Sequence, residues 1–170
     1  NSIQGALADP RACLAAARIA KEMGAGRIII SECPALGDSW TAFSNYGLVH
    51  AQPRYAKMGI NYELVDLCVD PVMMRGLGLS SMKEYPMPKI LHEVDCLVNI
   101  CAFKTHAYAG VTLALKNFGV GLPSAHRVGG YKIGLPHMEL AELTVDVNHI
   151  AQKLVPNQMH IIDAVYAGTW

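Results

Sequence analysis

Lys104 and His106 stand one residue apart in the run Lys104-Thr105-His106. In extended chain, residues two apart project to the same side, so an ammonium and an imidazole converge there on one ligand. One holds charge while the other moves a proton. Lys116-Asn117 adds a second cation beside an amide. Both pairs belong to a longer stretch, between Asp95 and Glu139, that contains no acidic residue and carries Lys104, Lys116, Arg127 and Lys132 with His106, His126 and His137. All 14 Asp and Glu residues lie outside it, against only part of the 14 Lys and Arg. Fixed cations and histidines without local carboxylates suit a small anion such as phosphate, carboxylate or sulfate. A basic face that is merely solvated carries the same pattern.

Metal and nucleotide motifs are weaker. His106, His126 and His137 are too far apart for a local ligand pair, so a three-histidine transition-metal site depends on tertiary geometry. The other histidines, His50, His92, His149 and His160, read as structural or solvated. Cys96 and Cys101 have the C-x4-C spacing that begins one iron-sulfur pattern, but no third cysteine follows two residues on, and their odd separation sends them to opposite faces of a strand. Cys13, Cys33 and Cys68 complete an odd, scattered set without C-x-x-C. The expectation is buried thiols in a reducing or neutral context, without a complete disulfide framework. Gly24-Ala25-Gly26 precedes a strand, Gly119-Val120-Gly121 lacks a third glycine and the Lys-Ser/Thr of a P-loop, and no G-x-S-x-G elbow occurs.

The elements that must position these residues follow from caps and periodicity. Asp9 caps a helix over residues 10–23, with Pro10 at its first position, Leu14, Ala17, Ala20 and Met23 on one face, and Gly24 as its stop. Residues 27–31 form a continuous β-branched strand ending at Glu32-Cys33-Pro34. Residues 40–57 are helical in part, 62–67 form a second strand, and Asp70-Pro71 turns away. No clean period marks 71–88. A short helix over 89–93 feeds a central strand over 95–103, with Lys104-Thr105-His106 just past its end. Residues 112–117 are helical, 118–137 make a long connection, and 139–155 make an amphipathic helix with Leu140, Leu143, Val147, Ile150 and Leu154 inward and Glu142, Asp146, His149 and Lys153 outward. The last strand covers 159–165. The alternation predicts an α/β fold, a mainly parallel sheet with flanking helices in Rossmann-like layers. Ligands of such sheets bind beyond the carboxyl ends of the strands, which selects Glu32, Cys33, Asp66, Asp70, Lys104, Thr105, His106 and Asp163.

At 170 residues, with 52% hydrophobic and 16% charged side chains, the chain reads as one globular α/β domain, 1–170. No apolar run of about 18 residues offers a membrane span. Zero formal charge removes the global electrostatic case for nucleic acid, and the basic stretch holds few aromatics for stacking bases, namely Phe103, Tyr108, Phe118 and Tyr131. The chain opens at Asn1 without a basic-then-apolar leader; a cytoplasmic location is favoured and export stays open.

The run Val94-Asp95-Cys96-Leu97-Val98-Asn99-Ile100-Cys101-Ala102-Phe103-Lys104-Thr105-His106, followed by Gly110-Val111-Thr112-Leu113-Ala114-Leu115-Lys116-Asn117-Phe118-Gly119, resembles the family called domain of unknown function three-six-two. Its hallmark is an aspartate-led strand ending in Lys-Thr-His, then Thr-Leu-x-x-Lys-Asn and glycine. Asp9-Pro10, Met23-Gly24-Ala25, Glu32, His137 and Ile161-Ile162-Asp163-Ala164 also match. The resemblance implies an iron-sulfur association and a ferredoxin-like domain or redox partner, without a settled activity. It also implies that the family's first strand and glycine-rich closing segment lie outside this sequence, and it transfers no cluster ligand to any residue here. The matching positions are Glu32, Lys104, Thr105, His106, Lys116, Asn117, His137 and Asp163.

Together these readings predict a polar site for a small anionic substrate or metallocofactor. Lys104, His106, Lys116 and Asp163 form its catalytic set, Glu32, Thr105, Asn117, His126 and His137 line it, and redox-linked chemistry would fit. The alternative is a non-catalytic module that binds a metal, cluster or anionic cofactor for a partner redox protein.

Overall fold

The computed structural model describes residues 8–168. The first helix, α1 (Pro10–Glu22), starts as the sequence predicts, with Asp9 Oδ1 accepting the Arg11 N–H at 2.8 Å and Pro10 in the first turn. It leads into β1 (Ile29–Glu32). The stretch predicted as partly helical forms two helices, α2 (Ser39–Asn45) and α3 (Leu48–Lys57), divided at Gly47, whose φ of 73° lies in the left-handed region. The next strand, β2 (Glu63–Asp66), pairs parallel to β1 from Ile29↔Glu63 to Glu32↔Asp66. Ala17, Ile28, Ile30, Phe43, Leu48, Ile60 and Tyr62 form the core of this half.

The aperiodic stretch after Asp70 is an antiparallel pair, β3 (Val72–Arg75) and β4 (Glu84–Met87). Its strands are four residues each, and Pro86 sits inside one, which hides the period-two signal. The central strand, β5 (Cys96–His106), runs through Lys104, Thr105 and His106 instead of stopping before them. At Gly110, with φ of 70°, the chain reverses into β6 (Gly110–Thr112), which pairs antiparallel with the end of β5. The helix expected over 112–117 is α4 (Ala114–Gly121), which starts two residues later because Thr112 ends β6, and the connection after it holds the single turn α5 (Ala125–Val128) and short 3-10 turns at Gly130–Lys132 and His137–Glu139. After α6 (Leu140–Leu154), β7 (Asn157–Gly168) pairs parallel to β5.

The chain is therefore α/β, but its described strands close into three small sheets of mixed direction, β1-β2, β3-β4 and β6-β5-β7, and not one mainly parallel Rossmann-like layer. The two hairpin-like reversals, into β4 and into β6, supply the antiparallel ladders.

The second core lies where α6 packs on α4 and β4. Leu140, Leu143, Val147, Ile150 and Ala151 of α6 are buried at helical spacing, and each fully buried Leu, Val or Ile contributes about 1.5–3 kcal/mol. Gly119 allows α4 to approach closely, because a Cβ there would lie 2.8 Å from Thr144 Cα. Asp146 is not on the outer face of α6 as its neighbours imply. It is fully buried and accepts hydrogen bonds from Leu77 N–H at 2.8 Å, Ser80 N–H at 3.2 Å and the Tyr85 hydroxyl at 2.9 Å. A carboxylate wrapped by loop amides is satisfied without solvent.

The cysteine expectation needs one correction. Cys33 and Cys68 form a disulfide, with Cα atoms 5.5 Å apart. Parallel pairing sets Glu32 opposite Asp66, so the chains leaving those two strand ends come within bridging distance, a relation that 35 residues of sequence separation conceals. Cys13, Cys96 and Cys101 are free thiols, half-buried, exposed and buried respectively.

Candidate functional site

Lys104 and His106 are both half-buried on β5, while Thr105 between them is exposed, as alternation requires. The β5-β7 ladder is irregular just before Lys104: Ala102 pairs with Asp163 and Lys104 with Gly168. Such a break next to a site re-aims the side chains beyond it. Lys116 comes from α4, and Lys132 from the turn that follows α5.

These four residues and Glu32, at the end of β1, form one electrostatic group. Burial pushes Lys104 below the usual lysine range, opposed by Glu32. Burial also lowers Lys116, and Lys104 lowers it further. Lys132 is only 1% exposed; burial brings it down to about 8 against the pull of Glu32, and Lys116 adds to the fall. Its Nζ donates to the Gly121 carbonyl at 2.6 Å. Burial raises Glu32, opposed by the Cys33 N–H that its carboxylate accepts at 3.0 Å and by Lys132 and Lys104. Lys104 and Lys132, from two different elements, thus act on the Glu32 carboxylate, and Lys116 is coupled to the group through its repulsion with both lysines.

His106 Nδ1 accepts the N–H groups of Tyr108 and Ala109, both at 3.2 Å, so the neutral ring carries its proton on Nε2. Burial lowers its pKa, and Lys116, Lys104 and His137 lower it further. His137, in the turn before α6, gives its Nδ1 proton to the Leu135 carbonyl at 2.9 Å. The geometry therefore holds a neutral imidazole beside fixed cations.

The remaining candidates lie elsewhere. Asn117 donates to Asn99 Oδ1 at 2.7 Å and fastens α4 to β5. Asp163 accepts the Asp9 N–H at 2.7 Å and the Val165 N–H at 3.1 Å, which anchors the start of α1 on β7. His126 is exposed and lines a separate cleft with Cys68, Val69, Asp70, Pro71 and Arg127.

Residues 2–169 match the family model described as Domain of unknown function (DUF362). The chain belongs to this family. Comparison with curated proteins and with solved structures found no match.

The iron-sulfur association implied for DUF362 chains does not fit the residues described. Cys33 and Cys68 are joined to each other, Cys13 sits apart on α1, and Cys96 and Cys101 occupy opposite faces of β5. Among the described residues, no group of three or more His, Cys, Asp or Glu is placed to hold a metal ion, so His106, His126 and His137 are not gathered into a ligand set. The member of this lysine group that the motifs do not mark is Lys132. Its signal was membership of the acid-free stretch; its burial depends on left-handed backbone at Tyr131 and Lys132, with φ of 53° and 55°, which no spacing rule foretells.

Proposed function

We propose that this DUF362 chain binds a small anion, a phosphate or carboxylate compound, between Lys104, Lys116 and Lys132, with His106 positioned to donate a hydrogen bond to it. The observation that supports the reading is that two desolvated lysines, Lys104 and Lys132, act on one carboxylate, Glu32, while a third, Lys116, lies close enough to repel both. Desolvated cations gain free energy from an anionic ligand, because in low dielectric each charge-assisted hydrogen bond contributes about 1.5–3 kcal/mol. The neutral, Nε2-protonated His106 can donate a hydrogen bond to an oxygen of that anion, and the nearby cations keep the ring neutral.

A non-catalytic reading uses the same lysines to retain an anionic cofactor for a partner protein. Its support is that Asp163 and Asn117 are engaged in anchoring hydrogen bonds, which leaves His106 as the one predicted acid-base residue in the group. Calorimetric titration with inorganic phosphate, sulfate and oxalate tests both. Lys104→Ala and Lys116→Ala should each weaken binding about tenfold or more, while exposed Lys153→Ala should not. Absence of binding by all three anions refutes the reading. Turnover of a bound anionic compound that is lost in His106→Gln with binding retained separates enzyme from carrier.

A further inference from the structure

The segment that carries Lys132 is built onto the Cys33–Cys68 disulfide. Ser124 Oγ donates to the Cys68 carbonyl at 2.7 Å, the Ala125 N–H points at Cys33 Sγ at 3.4 Å, and the Tyr131 N–H donates to the Ala35 carbonyl at 2.6 Å. On the other side, the Cys33 N–H is the donor to the Glu32 carboxylate. Glu32 and the segment leading to Lys132 thus both contact the chain around the bridge. Tyr131 and Lys132 keep left-handed backbone, unfavourable for non-glycine residues, in the segment these contacts hold.

The two half-cystines are each 3% exposed, yet Cys68 borders the cleft of about 460 Å³ that Val69, Asp70, Pro71, His126 and Arg127 complete. Cys68 lines this cleft, and Cys33 does not.

We propose that the Cys33–Cys68 disulfide is a thiol-exchange site, opened by a dithiol entering this cleft, and that its opening releases the Lys132 segment from the lysine cluster. One thiolate of the dithiol attacks Cys68 Sγ, forming a mixed disulfide while the Cys33–Cys68 bond breaks and its electron pair leaves on Cys33 Sγ, which takes a proton from water. The second thiol then displaces Cys68, which is protonated in turn, and departs in the oxidised dithiol. Two electrons pass from the dithiol to the bridge. The consequence for ligand binding rests on the anion reading; the structural release does not.

The test compares the full chain, oxidised and after dithiothreitol treatment with alkylation, by hydrogen exchange, alongside the Cys33→Ala, Cys68→Ala double variant. In the reduced and variant forms, the Ala125 and Tyr131 amides should exchange about tenfold faster or more, with the α6 amides unchanged. Equal rates in all forms overturn the proposal. So does acceleration of α6 in step, which would make the bridge a general staple, and so does alkylation of all five cysteines without reductant. Parallel titration with inorganic phosphate should give weaker binding to the reduced form. Equal phosphate affinity in both forms refutes the coupling to the site. Phosphate binding by neither form, with the exchange difference intact, refutes the anion reading and leaves the exchange site standing.

Discussion

Asn117 Nδ2 donates to Asn99 Oδ1 at 2.7 Å, and Asn99 Nδ2 in turn donates to the Ala114 carbonyl at 2.8 Å. Asn99 is buried in the middle of β5, so this pair fixes α4 on the strand that carries Lys104 and His106. Lys116 precedes Asn117 and is carried with it. Asn99→Ala strands the Asn117 amide and the Ala114 carbonyl, and unsatisfied buried groups cost about 1–3 kcal/mol. The expected outcome in chemical denaturation is a loss of that size, accompanied by weaker phosphate binding although residue 99 belongs to neither cation. Unchanged stability would show that water replaces the lost partner.

Asp146 serves the other core in a different way. It gathers the amides of Leu77, Leu79 and Ser80 and the Tyr85 hydroxyl around one carboxylate, and Gly76 is the residue that lets the loop approach, since a Cβ there would lie 2.7 Å from Asp146 Cγ. Asp146→Ala leaves several buried donors without an acceptor and should cost about 3 kcal/mol or more. Gly76→Ala should destabilise by collision with backbone-held carboxylate atoms. Thermal unfolding checks both, and a Gly76→Ala protein as stable as the parent would contradict the close approach.

Much of this was readable from residue order and some was not. Asp9-Pro10 announces α1, the apolar spacing of Leu140, Leu143, Val147 and Ile150 announces α6, and one-residue alternation places Lys104 and His106 on a common side, because each of these signals is local. Asp146 reads as solvent-facing because helical periodicity is silent about a distant loop whose amides need an acceptor. The Cys33–Cys68 bridge depends on the register Glu32↔Asp66, and the burial of Lys132 depends on two left-handed residues; both are products of tertiary packing. The family motif marked Lys104, His106 and Lys116 together, but it also marked Asn117 and Asp163, whose side chains are engaged in holding α4 and α1 in place.

His106 offers a spectroscopic check on the cluster. Its Nδ1 accepts two backbone N–H groups, and burial with the two neighbouring lysines disfavours the imidazolium. Nitrogen NMR should therefore find the Nε2-protonated tautomer, with a titration midpoint below the usual histidine value of about 6.5. Removing a cation by Lys116→Met should move the midpoint upward. A midpoint that ignores this substitution would place Lys116 too far away to share a ligand with His106.

Lys132 makes the alkaline limb of the stability profile informative. Its pKa is about 8 in the folded chain against 10.5 for an ordinary lysine, so below pH 8 both folded and unfolded states hold the proton and the folded state bears the whole burial penalty. Between pH 8 and 10.5 the folded state releases the proton while the unfolded state keeps it. Stability rises with pH wherever the unfolded state binds more protons, so Lys132 contributes a gain across that window, on the order of 3 kcal/mol. Glu32 acts oppositely and at lower pH: its raised pKa gives the folded state the extra proton, and its contribution falls as pH climbs from the ordinary carboxylate value through the folded one. Lys132→Met should flatten the alkaline gain and leave the acid limb in place, as followed by urea midpoints from pH 7 to 10.5. A bound anion should have the reverse effect on Lys132, because pairing restores the charged form; with phosphate present, the alkaline gain should shrink in the parent chain and stay unchanged in Lys132→Met.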